Sequence, residues 1–218
     1  ATVPGIIKAI QDGQPDLIAV VNSSGVFADL NISMKLSDPK YKFVSENCIP
    51  VQSGVAKTWE KPGGNITGVG VFIQYTSTIR LVQLINPLAK KLVFFTWDNK
   101  ALAPLNAYFE LEMKAAAKAT GVDYEFRRIA TAEDQYDFYL EMDKKWPETF
   151  IIGGSSAWVH RDGTPADMNV EEGKFVRENV RHNPLFANEE TVVRNGATAG
   201  TCVIWYDLGA QMADKGMK

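Results

Sequence analysis

The sequence predicts an α/β protein built on parallel sheets, and three observations carry that prediction. Asp16-Leu-Ile-Ala-Val-Val21, Leu92-Val-Phe-Phe95 and Phe150-Ile-Ile152 are continuous apolar runs, the pattern of strands buried on both faces. Stretches with apolar residues three and four apart lie between them, so strands and helices alternate. A Lys61-Pro-Gly-Gly64 turn interrupts the series and starts a second one, which suggests two lobes.

From residue 5 onward the order reads helix, strand, helix, strand, helix, and then the turn. Within it, Ser45 to Val69 reads as strand, helix, then the Pro-Gly-Gly turn feeding a second strand. Further along, Leu105, Tyr108, Phe109, Met113, Ala116 and Ala117 recur at helical spacing, and Gly121 stands where that helix must stop. Thr131-Ala-Glu-Asp134 resembles a capping box ahead of Tyr136, Tyr139, Leu140 and Trp146 on one face. His160 to Asn183 is polar and turn-rich at first, then helical from Asn169, where Asn-Val-Glu-Glu172 supplies a cap. These readings place the lobe boundary at residues 64–70 and a return crossing at 200–205. The domains are then residues 1–68 plus 204–218, and residues 69–203.

Composition narrows the function. With 45% hydrophobic and 22% charged residues, the 218-residue chain has enough apolar material for a core without staples. A net charge of −3 gives no basic field, so nucleic acid is not an expected partner. No apolar run approaches the roughly 20 residues of a membrane span, and the first residues lack the pattern of a signal peptide. Cys48 and Cys202 suit no zinc motif; they are either two buried thiols or a single bridge formed after export. His160 and His182 have no Cys near them in sequence, and no phosphate-cradling glycine motif is present, so neither metal nor cofactor is expected.

Several stretches, in order, resemble the extracytoplasmic substrate-binding proteins of bacterial ABC transporters. They are Pro15-Asp-Leu-Ile-Ala-Val-Val-Asn-Ser-Ser24, the block from Ile49-Pro-Val to Lys61-Pro-Gly-Gly-Asn-Ile-Thr-Gly-Val69, and Met113-Lys-Ala-Ala-Ala-Lys118. Asn188-Glu-Glu190, Asn195-Gly-Ala197 and Trp205-Tyr-Asp-Leu-Gly209 complete the set. The resemblance implies the type I periplasmic-binding-protein fold, two doubly wound lobes that close on a ligand in the cleft between them. Gly68, Val69, Val203 and Trp205 would then form the hinge. Relative to the family pattern, the first strand-helix-strand and everything after residue 218 are absent, so the fold is expected to be incomplete at both ends. The chain also departs from the family at Ile49, where Asp is usual, and in a longer, more charged connection from Trp158 to Pro184.

Ligands of open parallel sheets bind beyond the carboxyl ends of the strands. Those ends offer Ser23, Ser24, Asn47, Trp97, Asp98, Ser155, Ser156 and Glu189 as the candidate ligand-binding residues. For an amino-acid-like ligand, Ser23 and Ser24 with the following helix amides suit a carboxylate, and Asp98 or Glu189 an ammonium group. Trp97 suits an aromatic or cationic part. Each has a plainer reading too: Ser23 and Ser24 as caps, Asp98 as a turn former, Trp97 as packing, Glu189 as a solvated acid. The leading expectation is a non-enzymatic solute-binding component of an ABC importer that delivers a small molecule to a membrane permease, with an amino acid the ligand class that the resemblance suggests. The alternative is the extracytoplasmic sensing domain of a signalling protein. A minor one is a serine hydrolase, in which Ser155 or Ser156, Asp162 or Asp167, and His182 follow nucleophile, acid, base order.

Overall fold

The computed structural model describes residues 3–21, 41–46, 51, 56–63, 65–70, 74–154, 156–187, 190–200 and 205–217. Cys48, Cys202 and Val203 lie outside them. The chain separates into two units, Ala1–Phe72 with Ile204–Lys218, and Ile73–Val203.

In the first unit, helix α1 (Val3–Gly13) leads to strands β1 (Ile18–Val21), β2 (Phe43–Glu46) and β3 (Ile66–Val69). They form a parallel sheet in the order β1-β2-β3, with Ile18, Phe43 and Ile66 in register. Ile6, Ile7 and Ile10 recur at helical spacing and pack one face of α1 on Ile18, Val20, Tyr41, Phe43 and Ile66. Helix α7 (Trp205–Met217) returns to this unit. It reaches the sheet at Gly216, where an added Cβ would lie 3.1 Å from Leu17 and 3.6 Å from Val44. Gly68 and Val69 end β3 beside Ser45 and Glu46, and Trp205 opens α7.

The helix read before the Pro-Gly-Gly turn is not found in its described part, Ala56–Glu60. Local bonds replace the helical ladder there. Lys61 N–H donates to Thr58 Oγ1 at 3.0 Å, and Lys57 N–H to the Pro62 carbonyl at 3.4 Å. Gly63, at φ 115°, then turns the chain into β3.

The second unit comprises α2 (Tyr75–Ile85), β4 (Lys91–Trp97), α3 (Ala103–Thr120), β5 (Asp123–Ile129) and α4 (Ala132–Asp143). It continues through β6 (Thr149–Gly153), α5 (Met168–Asn179), β7 (Leu185–Ala187) and α6 (Glu190–Asn195). Its sheet is parallel, in the order β5-β4-β6-β7.

The continuous apolar runs follow from this doubly wound plan. Leu92, Phe94, Phe150, Ile152 and Phe186 face Ile79, Val82, Met113 and Ala117 of α2 and α3. Their neighbours Val93, Phe95, Ile151, Leu185 and Ala187 face Phe138, Tyr139, Met142 and Val176 of α4 and α5. Side chains alternate across a strand, so helices on both faces require apolar residues at every position. Each such side chain contributes about 1.5–3 kcal/mol on full burial.

Helix α3 ends as expected, with Gly121 left-handed at φ 73°. Thr131 caps α4, accepting from Asp134 N–H at 3.2 Å. The apolar face of α4 is rotated from the expected one. Gln135, Phe138, Tyr139 and Met142 are buried, Leu140 is 38% exposed, and Trp146 lies beyond the helix end. Helix α5 begins one residue earlier than read, at Met168. The expected cap at Asn169 fails because the helix already runs through that residue; Asp167 holds the cap position, and Glu171 accepts from its N–H at 2.9 Å. Among the described residues no helix is long and apolar enough to cross a membrane.

Candidate functional site

The strand order of the second unit fixes where a site can form. From β4 the chain moves outward to β5, then returns to pair β6 on the other side of β4. Sheets with such a reversal bind ligands beyond the carboxyl ends of the two strands that flank it, here β4 and β6.

Trp97 is the last residue of β4. Its indole N–H donates to the Ala130 carbonyl at 3.1 Å, and its ring packs partly on the Phe95 and Phe138 cluster. Asp98 follows, exposed, with its backbone N–H bonded to the Ile129 carbonyl at 2.8 Å. Behind them the buried Asn106 accepts from the Thr96 hydroxyl at 3.0 Å and donates to the Trp97 carbonyl at 2.9 Å. The end of β4 is therefore held on two sides, and Asp98 presents its carboxylate to solvent.

At the end of β6, Gly154 N–H donates to the Phe95 carbonyl at 2.9 Å. A Cβ on Gly154 would fall 2.7 Å from the Phe94 ring and 2.9 Å from the Phe95 carbonyl oxygen, so glycine is required for this approach. Ser156 then turns inward. Its hydroxyl donates to Glu172 at 2.5 Å, and Gln135 Nε2 donates to the same carboxylate at 3.0 Å, as does the Tyr139 hydroxyl. Gln135 Oε1 also accepts from Ala157 N–H at 2.8 Å, tying the loop backbone to the network. Glu172 is only 2% exposed. Burial pushes its carboxyl up, against the opposing bonds from Ser156, Tyr139 and Gln135. Burial, followed by the Glu172 charge, pushes the Tyr139 phenol well above its usual value.

A charged rim surrounds this interior network. The turn from Val159 to Pro165 closes by an antiparallel bridge, and Ala132 N–H at the start of α4 donates to the Val159 carbonyl at 2.9 Å. His160 Nδ1 lies 2.8 Å from Glu133 Oε1, and its Nε2 lies 3.5 Å from Glu171 Oε2. The Tyr136 hydroxyl donates to that same Glu171 oxygen at 3.1 Å. Arg161 bonds Asp134 at 2.7 Å and Asp137 at 2.9 Å.

Of the sequence-predicted ligand residues, Trp97, Asp98 and Ser156 are described. Trp97 and Asp98 end β4, and Ser156 follows the neighbouring β6 with its hydroxyl committed inward. Ser23, Ser24, Asn47, Ser155 and Glu189 lie outside the described residues. Gln135, Tyr139, Glu172 and His160 belong to the arrangement yet were not read as site residues. A polar Gln135 on the same helical face as Phe138, Tyr139 and Met142 was the available signal, because a buried amide needs partners. The Ser156 hydroxyl bonds Glu172, whereas the His182 ring bonds Asp143 at 3.2 Å, so these two do not form the pair a serine hydrolase uses. Among the described residues no group of three or more His, Cys, Asp or Glu is placed to hold a metal. In the first unit, a cavity lined by Ser45, Thr58, Trp59, Glu60, Thr67 and Lys215 has a volume of about 160 Å³. That is small beside the roughly 300 Å³ at which ligand pockets begin.

Residues 1–218 match the protein family described as ABC transporter substrate binding protein. A tyrosine-binding protein of Clostridioides difficile is 42% identical over 43 residues, 20% of this chain and 12% of that protein. The fold resembles an ABC domain from Streptococcus pneumoniae in complex with L-Trp, with a TM-score of 0.74 and 17% identity over 98% of this chain. It also resembles a conserved domain protein from Vibrio cholerae, with a TM-score of 0.71 and 20% identity over 97% of this chain. A ligand-free, open substrate binding protein with adhesive properties from Clostridium difficile gives 0.60 and 20% over 98%. The chain spans 66% of the first two structures and 68% of the third.

Proposed function

The chain belongs to the ABC transporter substrate binding protein family, and on that premise we propose that it captures an amino acid, preferentially an aromatic one, for a membrane permease. Proteins of this family are binding proteins rather than enzymes and work outside the cytoplasm. The family match over the whole chain carries the reading. The L-Trp complex of one structural neighbour and the tyrosine-binding protein with a matching segment support an aromatic amino acid.

In this reading Asp98 pairs with the ligand ammonium group and Trp97 covers its ring, both from the end of β4. Ser23, Ser24, Asn47, Ser155 and Glu189 complete the contacts, with a carboxylate falling to the serines and helix amides. Ser156 supports its neighbours from the interior. Capture proceeds by bending at the two chain crossings, with Gly68, Val69, Val203 and Trp205 as the hinge. The work is binding, and no bond in the ligand is made or broken.

Thermal unfolding against the twenty amino acids tests the proposal. A ligand at 100 times its dissociation constant adds about 2.7 kcal/mol. A shift confined to L-tyrosine, L-tryptophan or L-phenylalanine is the expected result. A flat response to every amino acid overturns it.

A further inference from the structure

The segment from Ser156 to Ala166 joins the end of β6 to α5 without forming either strand or helix, yet its first part, Ser156 to Arg161, is bonded to α4 and α5. Its inner part is tied through Ser156 and Ala157 to Glu172 and Gln135. Its outer part is tied at His160. Nδ1 faces Glu133 of α4 and Nε2 faces Glu171 of α5, so one imidazole spans two helices. A neutral ring has one N–H and can donate to only one of those carboxylates. Nδ1 is within hydrogen-bond distance of Glu133, and the 3.5 Å approach of Nε2 to Glu171 becomes an ion pair when the ring is the imidazolium.

We infer that His160, as a cation held between Glu133 and Glu171, is a positioning residue that pins the strand-end segment at the ligand site and makes ligand affinity depend on pH. The inference rests on the binding function proposed above.

The surroundings of His160 agree from every side. From α4 it meets Glu133, with Asp134 and Asp137 occupied by Arg161. From α5 it meets Glu171, which also receives the Tyr136 hydroxyl and the Asp167 N–H. From its own turn it feels Asp162, whose carboxylate is bonded by Thr164. The bond to Glu133 raises the His160 pKa, partial burial opposes it, and the charges of Glu133, Glu171 and Asp162 add to the rise. The ring is 26% exposed, open enough to exchange its proton with solvent.

The sign follows from linkage. A histidine whose folded pKa is raised contributes its contact fully below the unfolded value near 6.5 and loses it as pH rises through the folded value. Below that range the segment is pinned through α4 and α5 together. Above it the neutral ring keeps a single N–H, so it can no longer tie Glu133 and Glu171 together; the bonds of Arg161 and of the Val159 carbonyl to α4, and the inner ties, remain.

The test uses the whole chain, in wild-type form and as His160→Gln, at pH 6 and pH 8.5. Hydrogen exchange of amides 157–166, corrected for intrinsic rates, reads the pin without ligand. Calorimetric titration with L-tyrosine and with L-tryptophan reads the positioning role. The expected result is faster corrected exchange and an affinity loss of about threefold to tenfold at pH 8.5 in the wild type. Both effects should be absent from His160→Gln, which should behave at either pH like the wild type at pH 8.5. Exchange that changes equally with pH in both proteins overturns the pin. Exchange that follows His160 with an unchanged affinity overturns the positioning role. If the wild type binds neither amino acid at either pH, the positioning role fails, the unfolding panel of twenty amino acids decides the functional proposal, and the exchange data still decide the pin.

Discussion

Replacing Glu172 probes the interior of the proposed site with a magnitude that follows from its bonds. The carboxylate accepts from Ser156, Tyr139 and Gln135 and is almost wholly buried. In Glu172→Ala all three donors lose their acceptor. Gln135 keeps its bond to the Tyr139 oxygen at 2.8 Å, and the Ser156 hydroxyl can rotate, so part of the loss is recovered. With about 1–3 kcal/mol for each buried donor left unpaired, the expected destabilisation is about 3–5 kcal/mol. Glu172→Gln keeps the shape and one carbonyl oxygen, and should cost about 1 kcal/mol at pH 5. The pH dependence separates the two further. Burial raises the Glu172 pKa, so the wild type gains most from this residue at low pH and loses that gain as pH rises through the folded value. The deficit of Glu172→Gln should therefore shrink between pH 5 and pH 8. Urea unfolding followed by tryptophan fluorescence measures both variants, since Trp97, Trp146 and Trp158 all lie in the second unit. Equal deficits for Ala and Gln, or a Gln deficit that grows with pH, would refute the reasoning.

Other residues give shorter tests. Gly154→Ala places a methyl 2.7 Å from the Phe94 ring and 2.9 Å from a backbone oxygen, and should cost about 1–3 kcal/mol in thermal or urea unfolding. At Asp143, burial raises the pKa, but the N–H groups of Asn183, His182 and Arg181 outweigh it and hold the carboxyl below its usual value. Asp143→Ala should therefore destabilise by about 2 kcal/mol at pH 7. That difference should shrink as pH falls through the depressed folded value, because the wild type loses the charge-dependent part of the contribution there. Trp97→Ala should weaken L-tryptophan binding about tenfold in a calorimetric titration, the loss of one stacked ring contact. Asp98→Asn should weaken it further while leaving the unfolding midpoint of the free protein within about a degree, since the Asp98 side chain is exposed.

Much of the second unit was legible in the sequence because its strands carry a strong signal. Buried on both faces, β4 and β6 are unbroken apolar runs, and the glycine and threonine that bound α3 and α4 are local punctuation. Strand β5 was not read. It lies at the sheet edge and alternates Tyr124 and Phe126 with Glu125 and Arg127, so its apolar content is halved. The face of α4 was misread because Gln135 belongs to the buried stripe, where its amide is satisfied by Ala157, Glu172 and Tyr139 from different parts of the chain. The same reason hid Glu172, which resembles a capping acid in sequence and becomes a buried acceptor only when β6 and α4 are brought beside α5. Trp97 and Asp98 were legible as strand-end residues because the end of an apolar run shows where a parallel strand opens onto its loop.

The most direct test of the binding account is a hydrogen-exchange footprint of the whole chain with saturating L-tyrosine and, separately, L-tryptophan. The account predicts slowed exchange at residues 97–99 and 154–158, the ends of β4 and β6, for at least one of the two. Protection confined to residues 84–90, at the opposite end of β4, or no protection from either amino acid, would contradict it.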